Sequence, residues 1–69
     1  MKMFDCDSSL IARYGYDPAT GEFRVEFNQG GTYVYKGMTL ERFEEFLRAE
    51  SKGKHFLKAI KGKYEWTKE

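Results

Sequence analysis

The pattern of apolar and polar residues along this chain changes period at Gly37. Before it, Phe23, Val25 and Phe27 alternate with Glu22, Arg24 and Glu26, the period-two signature of a strand with one buried face. A second aromatic run, Thr32-Tyr33-Val34-Tyr35-Lys36, follows Gly30 and Gly31. Residues 22–36 are therefore expected to form a β-hairpin around which the rest of the chain is organised. A preceding strand is expected over residues 10–16, entered through Asp7-Ser8-Ser9. It ends at Asp17-Pro18-Ala19-Thr20-Gly21, where Asp opens a turn, Pro sets its φ and Gly supplies a positive φ to close a four-residue loop. With Asp17 opposite Glu22, Tyr16 faces Phe23, Tyr14 faces Val25 and Ala12 faces Phe27.

The second turn decides where two tyrosines point. An even loop around Asn28-Gln29-Gly30-Gly31 would put Tyr33 and Tyr35 beside Arg24 and Glu26. An odd loop puts them beside Phe23, Val25 and Phe27, leaving Arg24, Glu26, Thr32, Val34 and Lys36 on the other face. The odd loop is the expectation, because it separates five bulky residues from a mostly polar set.

After Gly37 the spacing becomes helical. Leu40, Phe43, Phe46 and Leu47 fall at i, i+3, i+6 and i+7, with Thr39 as N-cap and Met38 as staple, which predicts a helix ending near Ala49. Ser51 is the expected N-cap of a second helix over residues 52–61, closed by Gly62. Phe56, Leu57 and Ile60 share one side of it, and Lys54, Lys58 and Lys61 line the opposite side. The aromatic tail Lys63-Tyr64-Glu65-Trp66 is expected to lie across the sheet or a helix. The predicted fold is α+β, a three-stranded antiparallel β-meander followed by two helices packed on one face, in one domain over residues 1–69.

Composition narrows the function classes. Six Phe, five Tyr and one Trp in 69 residues supply the dense core that so short a chain needs. Cys6 is the only cysteine and His55 the only histidine, so neither an internal disulfide nor a zinc or haem site is expected. Asp5 and Asp7 alone do not make a metal site, and no cofactor is expected. His55 has no visible nucleophile or base partner and Ser8-Ser9 no catalytic context, so the chain reads as no enzyme. No stretch approaches the roughly 18 apolar residues of a membrane span, and the N-terminus carries no apolar signal segment. The expected location is cytoplasmic.

Charge is the one uneven property. The net charge is only +1, yet five lysines and no acid fall within residues 51–63, while the first fifty residues are net acidic. Ser51-Lys52-Gly53-Lys54 at a helix start resembles an anion cradle, with free N–H groups, a glycine for close approach and flanking cations. The candidate nucleic-acid or anion site is Ser51, Lys52, Gly53, Lys54, Lys58, Lys61, Lys63 and Tyr64. In it lysines meet phosphates, and Tyr64, and beside it Trp66, could stack on unpaired bases. A plain solvated face is the alternative for the lysines, and core cover the alternative for Trp66.

Several pieces together resemble the KTSC domain family: Ser9 and Ile11, Gly15-Tyr16-Asp17, Thr20-Gly21, the tyrosine-x-tyrosine of Tyr33 and Tyr35, Ser51-Lys52-Gly53, Phe56, Ile60 and Tyr64. That family is named for a C-terminal domain of some lysyl-tRNA synthetases and also occurs as free-standing small bacterial and phage proteins. The resemblance runs from about Ser8 to Tyr64. It implies a small α+β domain and a suggested role in RNA binding, and it brings no catalytic residue with it. Two expectations follow: an RNA-binding or other nucleic-acid-binding module acting through the basic second helix, or a protein–protein interaction adaptor using the same lysines.

Overall fold

The computed structural model describes residues 1 to 69. Five strands, β1 (Met3–Asp5), β2 (Ile11–Asp17), β3 (Glu22–Phe27), β4 (Thr32–Lys36) and β5 (Glu65–Lys68), form one antiparallel sheet in sequence order. Between β4 and β5 run α1 (Leu40–Arg48) and α2 (Lys52–His55), the latter continuing as a π-helical turn over Phe56–Ile60. The α+β class is as expected, but the three-stranded meander is an undercount. The N-terminal residues add an edge strand beside β2, and the tail adds another beside β4.

The first hairpin follows its turn chemistry. Asp17 pairs with Glu22, Tyr16 with Phe23 and Tyr14 with Val25. Asp17 Oδ1 accepts the Ala19 N–H at 2.9 Å, and Gly21, at φ 78°, donates to the Asp17 carbonyl at 2.8 Å. The expected facing of Ala12 with Phe27 is wrong: the register shifts between Ile11 and Arg13, and Ile11 is the residue opposite Phe27. That bulge puts an extra residue in β2. It carries Ile11, fully buried, into the core where Ala12 would have left a smaller side chain.

The second loop is odd. Phe27 donates to the Gly31 carbonyl at 3.1 Å and Gly30 to the Phe27 carbonyl at 2.9 Å, enclosing Asn28-Gln29-Gly30. Gly30 and Gly31 both have positive φ, 102° and 91°, which residues with a Cβ rarely adopt. Tyr35 therefore opposes Phe23 and Tyr33 opposes Val25. Tyr35 is buried and Tyr33 half-buried.

Both helices cover this aromatic face. Thr39 Oγ1 accepts the Arg42 N–H at 3.2 Å, and Met38, just before it, is buried and accepts the Tyr16 hydroxyl at its carbonyl, 2.7 Å away. Phe43 and Phe46 of α1 and Phe56 and Ile60 of α2 meet Ile11, Tyr14, Phe23, Val25 and Tyr35 in one core. Phe46 sits edge-on to both Tyr14 and Phe23, with ring centroids 5.1 Å apart in each case. The buried stripe is narrower than the spacing suggested, because Leu40, Leu47 and Leu57 are each 40% or more exposed. In the second helix the π turn, marked by the Lys61 N–H donating to the Phe56 carbonyl at 2.9 Å, brings Phe56 and Ile60 inward and leaves Leu57 out.

Candidate nucleic-acid interface

The helix start at Ser51 is built for packing. Ser51 Oγ accepts the Lys54 N–H at 3.3 Å, so the cap is already occupied. Gly53 is buried, and a Cβ there would lie 2.9 Å from Ser8 Oγ and 3.4 Å from Leu10 Cβ. The glycine lets α2 approach the segment before β2 rather than a ligand. Ser8 Oγ in turn accepts the N–H groups of Leu10 and Ile11, at 3.1 and 3.3 Å.

A cavity of about 620 Å³ opens beside this contact. Its lysines, Lys52 and Lys54, share the lining with Asp5, Asp7 and Glu50. Three carboxylates in the lining oppose an anion there, so the neighbourhood is mixed in charge where the local sequence looked purely basic. Cys6 also lines it. Burial pushes the Cys6 thiol up, with Lys52 pulling the other way and Asp7 adding to the rise, which favours the protonated thiol.

The remaining lysines spread around α2 and its exit. Lys54, Lys58, Lys61 and Lys63 are all exposed and Lys52 half-buried. Lys61 is the last residue of the turn, with an extended ψ of 124°, so the chain leaves the helix axis there and Lys63 lies beyond the helix. Lys63 and Tyr64 border a separate hollow with Arg42, Glu45 and His55. The three ion pairs of the chain use Arg13, Arg24 and Arg42, bound to Glu26, Glu69 and Glu45. None of the lysines is neutralised by a partner.

The aromatics exchange the roles expected of them. Tyr64 is half-buried and packs against the core, which limits it as a stacking platform. Trp66 is 52% exposed, on edge strand β5 opposite Tyr35, with its ring 5.2 Å from that of Tyr33. It does not cap the core as a lone Trp near a helix suggested. With Phe27, Tyr35, Phe56 and Lys61 it lines a groove of about 400 Å³. The local signal in Glu65-Trp66-Thr67-Lys68 is one aromatic among polar residues, too little to mark a strand without the pairing to β4.

No group of three or more His, Cys, Asp or Glu side chains is arranged to hold a metal ion, and no helix is long and apolar enough to cross a membrane. A five-stranded antiparallel sheet in sequence order, with a capped helix and a π-turned helix on one face, defines a small α+β domain. The KTSC domain model matches residues 7–64, and the chain belongs to that family. The crystal structure of a KTSC domain protein from Yersinia pestis superposes with a TM-score of 0.95 at 35% identity, covering 99% of this chain and 96% of that one. A protein from Stutzerimonas stutzeri is 36% identical over 61 residues, 88% of this chain and 86% of its own length. A lysine–tRNA ligase from Nostoc sp. is 38% identical over 60 residues, 87% of this chain but 11% of the ligase. The family thus occurs both as a small part of such ligases and within small proteins.

Proposed function

We propose that this domain binds nucleic acid, RNA in the first instance, through Lys54, Lys58, Lys61 and Lys63. The observation that carries the reading is that the lysines concentrated in residues 51–63 are free of ion pairs. A cation already paired with a carboxylate gains little from a phosphate, whereas a free one releases counterions from the nucleic acid on binding. The likeness to a segment of ligases named for tRNA supports RNA over DNA. Lys52 contributes less, being half-buried among Asp5, Asp7 and Glu50.

The test is the salt dependence of binding to a pool of RNAs. Contact with four phosphates gives a slope of log affinity against log salt of about −3 on single strands. Lys54→Glu/Lys58→Glu/Lys61→Glu should abolish binding and leave the circular dichroism spectrum unchanged. Absence of any salt-sensitive binding by the wild type at low salt rules the reading out.

A second reading, a protein-interaction adaptor, is favoured by β5. This strand is exposed throughout and lies at the sheet edge, where backbone groups are open to pairing with a partner strand. Capture from lysate separates the two: a stoichiometric protein that survives nuclease supports the adaptor, and release by nuclease supports RNA.

A further inference from the structure

We propose that the groove between β4, β5 and the end of α2 is a slot for one unpaired base of single-stranded RNA, with Trp66 as the stacking surface and Lys61 as the phosphate contact. This rests on the nucleic-acid reading above and gives it a specific site.

The groove is small-ligand sized, about 400 Å³, and its floor is aromatic, formed by Phe27, Tyr33, Tyr35 and Phe56. Trp66 is not among the residues of the core cluster. The interior closes without it, and the residue is 52% exposed. The indole packs tilted against Tyr33, with centroids 5.2 Å and ring planes 53° apart, and its exposed part is the surface on which a base would stack.

The occupant follows from what stands around the ring. Gln29, Gly30 and Lys61 line the groove along with the aromatics. A carboxamide carries two donors and an acceptor, the complement of a base edge. The Lys61 ammonium has no carboxylate partner. No acidic residue lines the groove, in contrast to the larger cavity at Asp5, Asp7 and Glu50. A flat aromatic ligand with a polar edge and an attached anion fits these three features, and a nucleotide is such a ligand. A base stacked inside a duplex cannot enter, so the slot discriminates for single strands.

Trp66 is the only tryptophan, and its emission in the wild type therefore reads occupancy directly. We would titrate a short oligouridylate, a duplex RNA of equal length and an acidic peptide containing phenylalanine at low salt. Filter retention of both RNAs would follow in parallel on wild type, Trp66→Ala, Lys61→Glu and Lys58→Glu. The expected result is saturable quenching by the single strand and none by the duplex. Trp66→Ala should weaken single-strand binding about tenfold and leave duplex binding unchanged, while Lys58→Glu weakens both. Should Trp66→Ala fail to fold, the wild-type emission titration carries the test by itself, and Lys61→Glu, like Lys58→Glu, is expected to weaken both RNAs. Retention of single-stranded RNA with unchanged Trp66 emission overturns the slot and leaves the lysine reading standing. No retention of any RNA overturns both, and quenching by the peptide alone overturns the slot in favour of a protein ligand.

Discussion

Gly53 faces Ser8 so closely that a Cβ on the glycine would come to 2.9 Å from the serine hydroxyl oxygen. That oxygen is held in place by the Leu10 and Ile11 N–H groups, so it cannot swing aside without leaving them unpaired. Gly53→Ala gains up to about 1 kcal/mol of helix propensity and loses about 1–3 kcal/mol to overpacking. A net destabilisation of about 1 kcal/mol is expected in urea unfolding. Gly53→Ala/Ser8→Ala should show a coupling of opposite sign to the two single losses. Additive behaviour of the pair would mean that the contact does not constrain the helix.

Gly15 makes a comparable contact toward the other end of β2, beside β1. A Cβ there would lie 2.6 Å from Met3 Sδ and 2.7 Å from the Lys2 carbonyl oxygen. The thioether can rotate away, but the carbonyl belongs to the backbone leading into β1. Gly15→Ala should therefore detach β1 while the rest of the sheet survives. Hydrogen exchange is the check: amides of residues 3–5 lose protection, and those of β3 and β4 keep it.

The tyrosines set an alkaline limit. Tyr14, Tyr16 and Tyr35 all have hydroxyl pKa values raised above the ordinary 10.0, in each case first by burial, with the neighbours Cys6, Asp17 and Tyr33 respectively adding to the rise. Folding favours the protonated phenol, so this contribution is complete below pH 10 and is lost as pH climbs through the raised values. Ionised Tyr16 would also lose its donated bond to the Met38 carbonyl. The urea midpoint should be flat from neutral pH to about 9 and fall beyond 10. Tyr35→Phe should flatten that fall; an unchanged slope would exclude Tyr35 as a contributor.

Phe46 is fully buried and edge-on to Tyr14 and Phe23. Phe46→Ala is expected to cost about 3–5 kcal/mol, comparable with the whole stability of a domain this size. Leu47→Ala, one residue on and 40% exposed, should cost far less. Thermal melts of the two variants test whether α1 is anchored through one ring.

Residues with strong local rules were legible in the sequence. Asp17, Pro18 and Gly21 gave the loop and the register of β2 on β3 from Asp17 back to Arg13, and Thr39 marked the start of α1. The missed parts have tertiary causes. β1 is three residues long, and β5 is polar apart from Trp66, so each becomes a strand only by pairing with a neighbour. The bulge at Ala12 reflects the need to bury Ile11, and the π turn the need to bury both Phe56 and Ile60; neither leaves a mark in local propensity. At the candidate site, the lysine cluster was visible in the chain, but the carboxylates facing Lys52 come from the distant Asp5 and Asp7. The groove floor needs β3, β4 and α2 assembled before Trp66 has anything to stand beside.

The sheet is in sequence order, yet only its last pairing spans both helices, with Lys36 opposite Glu65. The hairpins of β2, β3 and β4 close over short loops and impose little delay, whereas β5 must wait until α1 and α2 have docked. Trp66 rides on that final strand. Its fluorescence in a stopped-flow refolding experiment therefore times the completion of the sheet, and a tyrosine or backbone signal would run ahead of it.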